Sequence, residues 1–158
     1  LYDFKIERIE PQNIDGITIS STKIRNALLK GEVQKANALL GYNYIFSGKV
    51  VHGNKLGRTI GFPTANIKLE DNKILPKVGV YAVKLEIDGH HYFGMLCIGD
   101  ETNKIEVHIF NFSDQIYDQY VSVKMFTRLR DNKIMSDVET LKDQLIEDES
   151  NCKYFFRI

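Results

Sequence analysis

Residues 48–66, GKVVHGNKLGRTIGFPTAN, carry the densest chemical signal in the chain. Gly53, Gly57 and Gly61 recur at a spacing of four, with Lys55 and Arg58 between them. Glycines tolerate positive φ and let backbone N–H groups approach an anion, so the stretch reads as a loop that wraps phosphate. An ordinary glycine-rich turn would use the same residues, and no GK[ST] follows, so this is not a Walker A loop. Pro63 then stiffens the chain. Thr64 and Asn66 are two residues apart, and on an extended segment they point the same way. A hydroxyl and an amide oxygen side by side suit a Mg²⁺ that keeps waters and takes its other ligands from nucleotide phosphates. The alternative is a Thr and an Asn satisfying a turn.

Residues 104–112, KIEVHIFNF, are the second carrier. Alternation puts Ile105, Val107 and Ile109 on one face and Glu106, His108, Phe110 and Phe112 on the other. If the aliphatic face fills a core, Glu106 projects outward beside aromatic rings. There it could act as a general base under a planar ligand, or simply be a surface glutamate. The third carrier is Arg128-Leu129-Arg130-Asp131-Asn132-Lys133, a basic cluster that reads as a phosphate holder or a solvated loop.

The elements that must position these residues fall into two zones. In residues 1–41 an alternating run through Phe4, Ile6 and Ile9 reads as a strand. Ser20, Ser21 or Thr22 then cap a helix through Ile24 and Leu28, and Gly31 and Gly41 bracket a second helix. This zone looks like the tail of a separate α/β unit. From Tyr44 onward short branched or aromatic runs follow one another between turns, with Asp88-Gly89 as a two-residue hairpin turn. Such density predicts a closed or nearly closed antiparallel barrel over residues 42–158. Ser136 with Glu139 reads as a capping box for a last helix, a lid with Val138, Leu141, Leu145 and Ile146 as its apolar stripe.

The composition bounds what this can be. In 158 residues, 21 Lys+Arg balance 21 Asp+Glu, which argues against a general nucleic-acid binder, and 43% hydrophobic residues argue against disorder. No apolar run approaches a membrane span. Cys97 and Cys152 form no CxxC, which suits a reduced, cytoplasmic setting. The first residue is Leu1, and the chain reads as a fragment of something longer.

GRTIGFPTAN, followed by EVHIF and by LRDNKIMSDVETLKDQLIED, closely resembles the riboflavin kinase (flavokinase) family. ISSTKIR at 19–25, running into LLKGEVQKANALLG, resembles the junction in the bacterial bifunctional riboflavin kinase/FMN adenylyltransferases. There a nucleotidyltransferase domain precedes the kinase barrel. The resemblance covers essentially the whole chain. It implies a mainly β fold: a six-stranded antiparallel Greek-key barrel with a C-terminal helix, preceded by a short α/β remnant of a nucleotidyltransferase domain in residues 1–41. It implies ATP-dependent phosphorylation of riboflavin to FMN with Mg²⁺, on small-molecule substrates, with no nucleic acid or membrane partner. By the same resemblance Thr64 and Asn66 would contact Mg²⁺ and the ATP phosphates, and Gly53 and Arg58 would lie in the loop over the nucleotide. Glu106 would be the catalytic base on the ribityl 5′-hydroxyl. Ile109, Asn111 and Tyr117 would line the adenine side, and Arg130, Lys133 and Met135 would contact the flavin.

The chain departs from the family pattern in places. After Gly99 it reaches the EVH strand through Asp100-Glu101-Thr102-Asn103 rather than an Arg-Pro-Thr-type loop. Cys97 stands where Asn is frequent, and Met135 where an aromatic is common. No HxGH-like segment, which adenylyl transfer needs, is present. Two other readings therefore stay open. One is FMN adenylyltransferase activity in a longer parent. The other is a flavin- or nucleotide-holding barrel without turnover.

Overall fold

The computed structural model describes residues 13–14, 17–69, 73–100 and 104–158. The run through Phe4, Ile6 and Ile9 lies outside the described residues. After it comes a two-residue ladder, Asn13–Ile14 (β1) against Ile17–Thr18 (β2).

Six strands close the barrel: β3 (Ile45–Val51), β4 (Ala65–Leu69), β5 (Gly79–Ile87), β6 (His90–Ile98), β7 (Ile105–Ile109) and β8 (Tyr120–Arg130). Their order is β3-β4-β7-β6-β5-β8, every pair is antiparallel, and β8 returns to β3. Consecutive strands β5, β6 and β7 are neighbours and β8 comes back beside β5, which is a Greek key. The expected turn is present: Asp88 and Gly89 have φ of 47° and 79°, the two positive values a type I′ turn needs, and Ile87 pairs with His90.

Alternation decides what faces inward. On β7, Ile105, Val107 and Ile109 are buried while Glu106 and His108 are half-buried on the outer face. Tyr81, Val83, Leu96, Val107 and Val123 are fully enclosed in the interior. Each such side chain contributes roughly 1.5–3 kcal/mol when fully buried. β5 departs from alternation because its outer residue Ala82 lies under α4 (Val138–Phe156), beside Cys152.

Helix α4 differs from its expected form in three ways. Its N-cap is Asp137, whose carboxylate accepts the Thr140 N–H at 2.7 Å, while Ser136 Oγ donates to Asp137. That backbone bond is the main cause of a lowered Asp137 pKa. The helix continues to Phe156, beyond the end near residue 148 that the sequence pattern predicts. Its inward stripe is Leu141, Leu145, Asp148 and Cys152, at spacings of four, three and four, whereas Val138 and Ile146 are 53% and 50% exposed. At 100° per residue Ile146 points away from the stripe that Leu145 occupies.

Helix α1 (Ser21–Leu29) is capped by Ser20 and α2 (Val33–Leu40) ends at Gly41, as the sequence predicts, whereas the N-terminus of α2 at Glu32 has no side-chain cap. Ser20 accepts from Lys23 N–H at 3.3 Å, and Gly41 takes a left-handed φ of 77°. Val33 reaches the barrel's core cluster. Asn37 donates to Met125 O at 2.9 Å and accepts from Tyr44 N–H at 2.7 Å. The helix pair is thus seated on β8 and the segment leading into β3. Among the described residues no helix is long and apolar enough to cross a membrane.

Candidate active site

Register places Cys97 of β6, Glu106 of β7 and Asn66 of β4 in one row on the barrel's outer face. Behind it runs the interior row Leu96, Val107 and Ala65. Thr64, immediately before β4, stands at the junction of two cavities and lines both.

The first cavity, about 310 Å³, is walled by Arg58, Pro63, Ile109, Phe112 and Tyr117 besides Thr64. The Tyr117 ring stacks on His52 with centroids 4.1 Å apart and planes 25° from parallel, and the Lys55 ammonium lies 6.0 Å from the ring centre. Flat apolar walls with cations at the rim suit a heteroaromatic base carrying phosphates. Arg58 is held on α3 (Leu56–Thr59), a single turn entered through Lys55 at φ 58°. Two glycines there are dictated by close approach. A Cβ on Gly57 would overlap the Phe62 carbonyl oxygen, and one on Gly53 would overlap the Asn66 amide. Asn66 itself lies against Gly53 rather than in either cavity wall. Asn111 sits apart from the cavity, exposed in the turn after β7 at φ 54°.

The second cavity, about 420 Å³, includes Thr64, Glu106, His108, Arg130, Lys133 and Met135 in its wall. The Glu106 side chain is 28% exposed and pairs with Lys104 at 3.1 Å. His108 Nδ1 lies 2.8 Å from the Pro63 carbonyl oxygen. A carbonyl only accepts, so Nδ1 carries the proton, and this bond ties the Glu106 face to the Pro63-Thr64 partition. The basic cluster divides. Arg128 and Arg130 lie on β8 rather than in a loop. Arg130 enters the second cavity, whereas Arg128 binds Asp131 at 2.7 Å and packs its stem against Gly31. Hydrogen bonds from Arg128 and Lys77 hold the Asp131 carboxyl down to about 2. Cys97 also faces the second cavity, but burial first, with Glu106 nearby, pushes its thiol pKa up, so it packs as a neutral group.

Sequence reasoning missed the residues that support this constellation. His108 was visible as Glu106's neighbour on the same strand face. Asp148 and Gln144, which hold Arg130 and Lys133, had a signal too: an aspartate between Leu145 and Cys152 in a helical apolar stripe.

Among the described residues no three His, Cys, Asp or Glu side chains gather to hold a metal. A divalent ion here would rest instead on the Thr64 hydroxyl, the Asn66 amide oxygen and phosphate. The absence of a side chain at Gly53 leaves the Asn66 amide its space. Neutral hard oxygens of this kind fit Mg²⁺.

The profile of the flavokinase family, described as riboflavin kinase, matches residues 40–156. The chain belongs to the riboflavin kinase family. It is 41% identical over 97% of its length to a bifunctional riboflavin kinase/FMN adenylyltransferase of Listeria monocytogenes, of which it covers 51%. It is 40% identical over 98% of its length to the protein of that name from Haemophilus influenzae, of which it covers 52%. The chain therefore spans about half the length of these curated relatives. A solved structure from Streptococcus pneumoniae, described as a macrolide-efflux protein, superposes with a TM-score of 0.87 at 40% identity. The match covers 92% of this chain and 50% of that one. A riboflavin kinase from Trypanosoma brucei shares the fold, with a TM-score of 0.52 at 23% identity over 72% of this chain and 79% of that one.

Proposed function

We propose that this chain transfers the γ-phosphoryl group of ATP to the ribityl 5′-hydroxyl of riboflavin, giving FMN and ADP. The observation that carries the reading is the partition at Thr64. A mostly apolar, ring-lined cavity and a cavity lined by both apolar and charged side chains open on either side of one threonine, and Glu106 faces the second.

In this reading adenine lies against Ile109 and Tyr117 in the first cavity, with its phosphates directed past Arg58 toward Thr64. The flavin occupies the second, near Arg130, Lys133 and Met135. Thr64 and Asn66 would hold Mg²⁺, which supplies charge neutralisation on the phosphates when bound. Glu106 takes the proton of the 5′-hydroxyl as that oxygen bonds to the γ-phosphorus. The bond from the γ-phosphorus to the β–γ bridging oxygen breaks, and ADP leaves with the electron pair. Lys104 keeps the Glu106 carboxylate oriented, and the His108 bond fixes the partition across which the two substrates meet. Little covalent chemistry is asked of the protein; positioning and electrostatics carry the rate.

We also read residues 1–41 as the end of a nucleotidyltransferase unit and 42–158 as the kinase barrel, in a longer cytoplasmic protein with FMN adenylyltransferase activity. The printed names of the relatives and the half-length coverage support that reading. This chain lacks the HxGH-like segment, so on its own it makes FMN and not FAD. Incubation with riboflavin, ATP and Mg²⁺, followed by chromatography, tests both points. Equal amounts of FMN and ADP are expected. FAD with pyrophosphate, or no FMN at all, contradicts the assignment.

A further inference from the structure

Asp148 is the one buried charged residue among the described residues, at 1% exposure. Both of its oxygens are taken by one partner: Arg130 Nε donates to Oδ1 at 2.7 Å and Arg130 Nη2 to Oδ2 at 2.6 Å. Arg130 Nη1 donates to the Asp131 carbonyl oxygen at 2.9 Å, so the guanidinium plane is fixed along two edges. One helical turn earlier Gln144 Nε2 donates to Asp148 Oδ1 at 3.2 Å, and its Oε1 accepts from Lys133 Nζ at 2.8 Å. A continuous chain, Lys133–Gln144–Asp148–Arg130, thus runs from the loop after β8 through α4 and back to β8. Lys133, Arg130 and Asp148 all line the second cavity.

Folding alone gives little reason for this arrangement. A buried ion pair is often no more stabilising than well-packed apolar residues of similar volume, and the rest of the α4 stripe is apolar. A bidentate carboxylate does fix the direction of an arginine's remaining N–H donors. Lys133, exposed on a flexible stem, has no fixed direction unless something such as Gln144 restrains it.

We propose that α4 is the back plate of the flavin-side cavity, with Asp148 and Gln144 as positioning residues for its two cations. Asp148 aims Arg130 and Gln144 restrains Lys133, so that both face an electron-rich, hydrogen-bond-accepting ligand. The proposal rests on the riboflavin kinase reading and names residues that touch no substrate. Its consequence is a split: disturbing α4 weakens the flavin and spares the nucleotide, whose cavity contains no α4 residue.

The experiment compares the parent chain with Asp148→Asn, Gln144→Leu and the paired Asp148→Asn/Arg130→Gln. Riboflavin affinity is read by quenching of flavin fluorescence without ATP, alongside KM for each substrate and thermal melting. Asp148→Asn is expected to raise the riboflavin Kd and KM about tenfold to a hundredfold, the range for a misplaced contact, with ATP KM within about twofold. Gln144→Leu is expected to do the same more weakly. The paired variant removes the arginine charge that Asp148→Asn leaves without its carboxylate partner, so it recovers melting temperature while riboflavin binding stays weak. That dissociation of stability from affinity is what a purely structural pair would not give. Variants that bind riboflavin like the parent, or that weaken riboflavin and ATP equally, overturn the proposal and leave the kinase reading standing. A parent that neither binds nor phosphorylates riboflavin removes both.

Discussion

The two cavities that meet at Thr64 are built by different means. The first cavity, to which we assign the nucleotide, is drawn from β3, α3, the start of β4, the end of β7 and the turn that follows, with mostly aromatic and aliphatic walls and Arg58 and Asp114 as its charged lining. The second cavity, to which we assign the flavin, gathers residues from α3, β5, β6, β7, the end of β8, the loop after it and α4. Among its lining are the Lys104–Glu106 pair and, separately, Arg130, Asp148 and Lys133, joined through Gln144. The first is drawn from two stretches, residues 50–65 and 107–117, joined by the pairing of β4 with β7, and rings and backbone turns shape its walls. The second depends on tertiary docking, because its charges must be paired and aimed across elements far apart in sequence.

If the division is right, substitutions should sort by cavity, and the largest effect should come from the one group given a chemical step. Glu106→Gln keeps size and hydrogen-bonding reach but loses the basic oxygen. It is expected to lower kcat roughly 100-fold or more, with ATP KM little changed, in steady-state assays with riboflavin and Mg·ATP. A kcat within about threefold of the parent would reduce Glu106 to a surface partner of Lys104, since that is under ~1 kcal/mol of barrier.

Thr64→Ala tests the partition itself. Because Thr64 lines both cavities, this variant should lose turnover on the order of tenfold and shift the KM of both substrates. Its melting temperature should scarcely move, since the residue is only half-buried. A shift confined to one substrate would mean that the cavities do not meet there. Tyr117→Ala sharpens the contrast from the nucleotide side. Loss of one ring face, roughly 1 kcal/mol, should raise ATP KM about fivefold and leave riboflavin KM unchanged.

The smallest effect is a pH dependence of stability. Asp131, at the root of the loop that carries Lys133 and Met135, has its carboxyl held down to about 2 from 3.8 by hydrogen bonds from Arg128 and Lys77. A depressed folded pKa gives stability that is complete above the unfolded value and lost as pH falls. The melting temperature should therefore decline between about pH 4 and pH 2, and Asp131→Asn should flatten that decline slightly. An unchanged slope in the variant would assign acid sensitivity to other carboxylates.

The same contrast explains what could be read from the chain beforehand. The barrel, the Asp88-Gly89 turn and the inward face of β7 follow from period-two alternation and turn chemistry, which act over a few residues. The nucleotide side was legible because GRTIGFPTAN is one continuous stretch. The second cavity was legible in two separate stretches, KIEVHIF with Glu106 and the basic cluster with Arg130, Lys133 and Met135, all of which line it. Which of its arginines enters the cavity depends on β8 extending to Arg130 and on bulges in its pairing with β5 near Val80 and Ala82. Asn111 follows Ile109 closely in sequence, yet the turn after β7 carries it out to solvent. In α4 the cap lies one residue later than Ser136, and the expected stripe holds at Leu141 and Leu145 but gives way to Asp148 and Cys152 where the sequence pattern predicts Val138 and Ile146.

Crystals of the chain grown with ADP and FMN give the most direct test of the central claim. Electron density is expected to show adenine beside Tyr117 and Ile109, the isoalloxazine beside Arg130 and Met135, and the phosphates of the two molecules on opposite sides of Thr64. Both ligands in one cavity, or the flavin ring stacked at Tyr117, would contradict the account.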